Sequence, residues 1–251
     1  MIFYFTATGN SLYVANQISK TTQDDKKIKM TRDEIEKHIC YDLSQEEYLG
    51  FVMPVYWYGC PSIVEEFLKQ VQFTGYKNQY VYVFLTYGGS VGTTLDYPIR
   101  KLLEKGIKVD GQFGVKMIDN YILAYDVSSK EQQEKILEDA NNEITKILAK
   151  MVDKQPAIQV NKGLMKLIGK PVHRIYEKLN LSKKFWVEDS CIHCEKCSKL
   201  CPTNAITMVD GKPQWNTGCT GCLGCIHQCP VQAIQYGKNT KKRHRYYNPL
   251  V

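Results

Sequence analysis

With 251 residues, 43% of them apolar and 24% charged, the chain has room for one medium domain and one small one. No apolar run approaches the roughly 20 residues that a membrane span needs. Residues 1–5 lack the basic flank and cleavage site of a signal peptide, so a cytoplasmic protein is expected. The formal charge of +7 is, on composition alone, compatible with a nucleic-acid partner.

From residue 1 to about 150, short apolar runs alternate with helical patterns. Strands are predicted over residues 1–5, 38–43, 49–55, 80–86 and 111–118, and helices over 11–20, 62–71, 91–105 and 129–151. Strand–helix alternation with apolar strands argues an α/β fold: a doubly wound, five-stranded parallel sheet covered on both faces. Residues 1–153 are assigned to this domain. Its ligands belong at the carboxyl ends of the strands.

The first strand runs into Thr6-Ala7-Thr8-Gly9-Asn10-Ser11 and then a helix. Small residues let amides and the hydroxyls of Thr6, Thr8 and Ser11 converge at the positive end of a helix dipole, an anion site. A plain N-cap by Asn10 or Ser11 is the simpler alternative. Two further loops follow predicted strands: Pro54-Val55-Tyr56-Trp57-Tyr58-Gly59-Cys60-Pro61 and Thr86-Tyr87-Gly88-Gly89-Ser90. Aromatic rings at loop tips are costly to leave wet and suit a flat ligand, a cap on the sheet or a partner surface. Cys60 has no adjacent Lys, Arg or His and reads as packing, and Cys40 as core. Asp119-Asn120-Tyr121-Ile122 is left without a role.

Residues 154–185 read as a basic amphipathic connector. Leu164, Leu167, Ile168, Val172, Ile175, Tyr176 and Leu179 make an apolar stripe beside Lys162, Lys166, Lys170, Arg174, Lys178, Lys183 and Lys184, interrupted by Pro171. The stripe is expected to pack one module on the other, with binding to a membrane surface as the alternative.

Residues 186–237 carry Cys191-x2-Cys194-x2-Cys197-x3-Cys201-Pro202 and, 28 residues on, Cys219-x2-Cys222-x2-Cys225-x3-Cys229-Pro230. Ala205-Ile206 recurs as Ala233-Ile234. Three cysteines at i, i+3 and i+6 on a coiled loop reach three irons of one cube, and the Cys-Pro cysteine turns to the other cube. Cys191, Cys194, Cys197 and Cys229 are therefore assigned to one [4Fe–4S] cluster, and Cys219, Cys222, Cys225 and Cys201 to a second. A disulfide framework does not suit a long chain without a secretory signal. Zinc sites rarely show this triple spacing twice.

The last stretch, 238–251, holds Lys238, Lys241, Lys242, Arg243 and Arg245 and is expected to be a solvated tail or a docking patch for an acidic redox partner. Tyr246 and Tyr247 leave base stacking as a minor possibility. Gly88-Gly89-Ser90-Val91-Gly92 is not G-x-G-x-x-G, so no direct NAD(P)H site is expected. His173, His193, His227 and His244 form no evident catalytic dyad.

T-x-T-G-N-S after the first strand resembles the phosphate loop of flavodoxins, which hold flavin mononucleotide (FMN). That resemblance implies FMN contacts from Thr6, Ala7, Thr8, Gly9, Asn10, Ser11, Pro54, Tyr56, Trp57, Tyr58, Gly59, Thr86, Tyr87, Gly88 and Gly89. Tyr58 and Tyr87 match the ring-stacking positions, with Trp57 close behind. Gly59 matches a glycine whose peptide turns its carbonyl toward the flavin, and Gly88-Gly89 offer amides to the pyrimidine edge. The acidic residues that surround the ring in flavodoxins are nearly absent here. Residues 186–236 resemble a bacterial two-cluster ferredoxin, including the Asp210-Gly211 turn of the hairpin that covers the clusters. Together the halves resemble the fused flavodoxin–ferredoxin (EFR-type) proteins of anaerobes.

The resemblance implies FMN plus two [4Fe–4S] clusters, electron transfer with other redox proteins such as ferredoxin, and a cytoplasmic place in an anaerobe. An FMN-dependent reductase of a small organic acceptor, fed by the clusters, is the enzymatic alternative. Two cubes contribute about −4 and a flavin phosphate about −2, which brings the holoprotein near +1 and removes the charge argument for nucleic acid.

Overall fold

The computed structural model describes residues 1–160, 163 and 165–251. In chain order the first domain runs β1 (Ile2–Tyr4), α1 (Asn10–Thr22), β2 (Lys27–Lys29), α2 (Arg32–Glu36), β3 (Cys40–Asp42), β4 (Tyr48–Pro54) and α3 (Ser62–Gln70). It continues with β5 (Gln72–Thr74), β6 (Tyr80–Tyr87), α4 (Asp96–Glu104), β7 (Gly111–Lys116), α5 (Lys130–Val152) and β8 (Ala157–Gln159). The main sheet has the order β2-β1-β4-β6-β7-β8, with every neighbouring pair parallel. The chain leaves β1 to one side and returns to β4 on the other, the switch point of the flavodoxin-like order, with β8 added at the far edge.

This corrects the expected five strands to six. The edge strands β2 and β8 are three residues each, Lys-Ile-Lys and Ala-Ile-Gln, too short and polar to show as apolar runs. The segment expected as the second sheet strand, β3, lies outside the main sheet and pairs with β5. Only Tyr41 of β3 is buried, so Cys40 is exposed and not core.

Period-two alternation sends residues of each strand to opposite faces. Phe3, Phe51, Met53, Val83 and Leu85 pack with Phe67 and Leu102 of α3 and α4. Ile2, Val52, Tyr82, Phe84 and Phe113 pack with Ile18, Ile144 and Ile147 of α1 and α5. Each such side chain contributes about 1.5–3 kcal/mol of burial.

The rest comprises α6 (Met165–Lys178), β9 (Phe185–Val187), α7 (Lys196–Lys199), β10 (Ile206–Val209), β11 (Lys212–Trp215), α8 (Gly224–His227) and β12 (Ile234–Tyr236). β9 pairs antiparallel with β12, and β10 with β11, an α+β module. The β10–β11 turn places Asp210 and Gly211 at φ 48° and 75°, both positive as a two-residue hairpin turn of this hand requires. A third core of Ile122, Ile206, Leu223, Ile226 and Ile234 gathers around Cys197 and Cys225.

Two expectations about the flanks change. In the connector, Tyr176 is buried, but Leu167, Ile168, Ile175 and Leu179 are exposed, so the stripe is only partly used for packing; Lys162 and Leu164 lie outside the described residues. The C-terminal stretch is not a solvated tail. Tyr246 and Asn248 are buried: the Tyr246 hydroxyl donates to Asn10 Oδ1 at 2.6 Å, and the Asn248 N–H donates to the Thr8 carbonyl at 2.8 Å. Burial removes Tyr246 from any stacking role. Among the described residues no helix is long and apolar enough to cross a membrane.

Candidate functional site

At the carboxyl ends of β1, β4 and β6 lies a cavity of about 370 Å³, within the range of small-molecule sites. Its walls include Thr6, Ala7, Thr8, Asn10 and Ser11 of the first loop, Pro54, Tyr56, Trp57 and Tyr58 of the second, and Thr86, Tyr87, Gly88 and Gly89 of the third. Gly9 and Gly59 do not line it. Gly9, at φ 93°, stands immediately before α1, and Asn248 and Val251 pack against it closely enough to exclude a Cβ. The first intrahelical bond runs from the Tyr13 N–H to the Gly9 carbonyl, leaving the earlier N–H groups of α1 without helical partners. The hydroxyls are tied inward: Ser11 Oγ to Thr86 Oγ1 at 2.8 Å, and Thr8 Oγ1 accepts from Asn120 Nδ2, which leaves the Thr8 proton free to donate.

The second loop is a tight turn. Tyr56 and Gly59 exchange both backbone hydrogen bonds, at 3.0 and 2.9 Å, with Trp57 and Tyr58 at φ 49° and 60° between them. Left-handed backbone at two aromatic residues stores strain of the kind that collects at binding sites. The Gly59 carbonyl is thus held by the Tyr56 N–H. The glycine is required because the His173 ring occupies the place of a Cβ, 2.2 Å from it. Tyr87 lines the cavity with its ring edge against Gly114 of β7, whereas Trp57 stands edge-to-face with Tyr121, centroids 5.8 Å apart.

Several wall residues had no role in the sequence reading. Asp119, Asn120, Tyr121 and Tyr125 close one side. Partial desolvation and the neighbouring Asp119 carboxylate raise the pKa of Tyr125. Val172 and Tyr176 of α6 close another side, and Gly221, Cys222 and Leu223 of the second cysteine motif a third. The one sequence-level signal was Asp119-Asn120-Tyr121-Ile122, polar and aromatic residues at the end of a sheet strand.

The eight cysteines stand in two groups. Cys191, Cys194, Cys197 and Cys229 surround a small recess closed by Met208 and Pro213 of the hairpin. Cys219, Cys222 and Cys225 interact with one another and with Cys201. Burial pushes the Cys219 and Cys197 thiols up to about 11 and Cys222 to about 12, so ligation must release their protons.

Two observations test whether a cluster fits. Ligand sulfurs on one tetrahedral zinc would stand about 3.8 Å apart. Among the described residues no three cysteine sulfurs lie within 4.8 Å of one another, so none of the cysteine groups is drawn in as tightly as a single zinc would require. Trp215 Nε1 is buried without any hydrogen-bond partner and lies beside Cys225, an unused donor near a ligand sulfur.

The modules are joined at this site. Gln228 Nε2 donates to the Ala7 carbonyl at 2.8 Å, and the Tyr176 hydroxyl to the Thr220 carbonyl at 2.9 Å. His227 Nε2 donates to the Asn120 carbonyl at 2.9 Å while its Nδ1 accepts from the Tyr246 N–H at 3.1 Å, a neutral ring that burial holds at about 4. The second cysteine motif, the first loop, the 119–125 segment and the C-terminal strap are thereby one connected structure.

Residues 184–207 match the family model of the 4Fe-4S binding domain, so the chain carries such a domain. No curated protein matches the sequence. Among solved structures, a protein of Bacteroides uniformis named as a flavoprotein is similar at 15% identity and TM-score 0.37, over 55% of this chain and 96% of that one. Trp repressor binding protein from Bacillus subtilis gives 16% identity and TM-score 0.37, over 59% and 96%. Two-electron reduced flavodoxin of Megasphaera elsdenii gives 19% identity and TM-score 0.33, over 46% and 85%.

Proposed function

We propose that this chain is an electron-transfer flavo-iron–sulfur protein of the fused flavodoxin–ferredoxin (EFR-type) kind, holding FMN in the aromatic cavity and two [4Fe–4S] clusters in its two cysteine groups. A flavin exchanges electrons in pairs or singly and a cluster exchanges one, so bound together they connect the two kinds of donor and acceptor. The observation that carries the reading is that Cys222 and Leu223 line the same cavity as Thr6, Thr8 and Ser11 of the first loop.

The groups have an order across the molecule. Cys194 is exposed and its neighbour Ile192 is 57% exposed, so the Cys191 group faces a partner. The Cys219 group faces the cavity. Tyr56 lines the cavity, half-buried, with Cys222 and Cys219 near its hydroxyl. We assign residues 1–153 to the flavin, 154–185 to the connector, 186–237 to the clusters and 238–251 to the strap, in a cytoplasmic protein of an anaerobe whose partners are ferredoxin-like redox proteins.

Anoxically purified protein should contain eight irons and one FMN per chain. Reduced ferredoxin should reduce the flavin rapidly in the wild type and at least about tenfold more slowly in Cys194→Ser. Colourless protein, or flavin reduction indifferent to Cys194, would sink the reading. The reductase alternative draws on the Tyr125–Asp119 pair beside the cavity, a possible proton source. Anoxic turnover of quinones, nitro compounds or enones faster than with free reduced flavin, lost in Tyr125→Phe, would favour it.

A further inference from the structure

We infer that Glu65, His173 and Glu177 form a divalent-cation site, of the zinc class, distinct from both cysteine groups and from the aromatic cavity. One ligand atom of each residue lies within 4.8 Å of the other two. Glu65 comes from α3 and the other two from α6, so the site spans two elements far apart in sequence. His173 and Glu177 are four residues apart and share a helix face.

The tautomer of His173 is set by its surroundings. Nδ1 stands 3.1 Å from the Tyr56 carbonyl, which can only accept, so Nδ1 carries the proton. In the neutral ring Nε2 is then a bare lone pair. That atom is buried, has no hydrogen-bond partner, and points at Glu65 Oε1 at 3.5 Å, with the His173 side chain 12% exposed. A lone pair against a carboxylate oxygen is repulsive unless a positive charge lies between them. Ligands about 2.1 Å from a tetrahedral zinc stand about 3.4 Å apart, close to the observed separation. An imidazole whose second nitrogen donates to a backbone carbonyl is also the usual arrangement of a metal-bound histidine.

Charge points the same way. The group holds two carboxylates and one imidazole, and among the described residues no Lys or Arg nitrogen pairs with Glu65 or Glu177. Imidazole with carboxylates and no thiolate suits a borderline d-block ion. Exposed Glu177 supplies an entry path and room for a water ligand. Because the His173 ring lies directly on Gly59 and holds the Tyr56 carbonyl, a cation here would brace α6 against the strained turn at the cavity.

The test is equilibrium dialysis of anoxically prepared holoprotein against micromolar free Zn²⁺, with zinc, iron and flavin quantified in one sample. One zinc per chain is expected without loss of iron, with affinity falling at least about tenfold in Glu177→Gln and in Glu65→Gln while iron and flavin are retained. No zinc uptake would overturn the site. Uptake undiminished in both variants would overturn it by placing the zinc elsewhere. Since the readout is zinc, failure here leaves the relay reading untouched.

Discussion

Trp215 ends a four-residue strand, stacks on Phe185 at a centroid distance of 4.8 Å, and keeps a buried indole N–H without a hydrogen-bond partner beside Cys225. A hydrogen bond to a ligating sulfur stabilises the more negative, reduced state of a cluster. A net bond of about 0.5–1.5 kcal/mol corresponds to about 20–60 mV for one electron. With two clusters as proposed, Trp215→Phe keeps the stack and removes the donor, so one cluster should titrate lower by that amount in an EPR-monitored potentiometric titration, with the other unmoved. Unchanged potentials would show that the indole only packs. The cysteine groups were legible because cluster ligation imposes a local spacing that the chain writes out directly. Trp215 was not, since its role depends on which way one side chain turns.

At the scale of elements, the informative unit is the first loop with its strap. Gly9 combines positive φ with Asn248 and Val251 where a Cβ would lie, so Gly9→Ala meets both backbone strain and a steric block. Left-handed backbone costs about 1–2 kcal/mol for a non-glycine residue. The strap should be displaced, and FMN affinity should fall about 5–30-fold, measured by flavin fluorescence on titration into apoprotein. Unaltered affinity would separate the strap from the flavin site. The strand–loop–helix unit itself was legible, because the small-residue loop interrupts two clear periodicities. The strap was not: a run rich in Lys and Arg reads as solvated, and nothing local says that Tyr246 and Asn248 are buried against Asn10 and Thr8.

Across the whole molecule, the cluster module has little apolar core of its own. Its buried residues collect around Cys197 and Cys225, whereas the main sheet has two full faces. Oxidative stripping of the iron should therefore unfold residues 186–237 and leave the sheet standing. Limited proteolysis should then cut within 186–237 while a fragment covering 1–150 persists. Because Gly221–Leu223 is a wall of the cavity, the stripped protein should also hold flavin more weakly. Uniform proteolysis of both halves would argue that they fold as one unit.

What the sequence determined by itself was what local repetition encodes: the alternating α/β pattern, the cysteine spacing and the Asp210-Gly211 turn. Only the tertiary structure decided the rest. It set a sixth strand in the sheet, carried β3 away from it, tied the Gly59 carbonyl to Tyr56, and drew His173 beside Glu65 and Cys222 to the cavity wall. These depend on contacts between residues far apart in the chain, such as Asn10 with Asn248, 238 positions away, and such pairings leave no periodic trace in the chain.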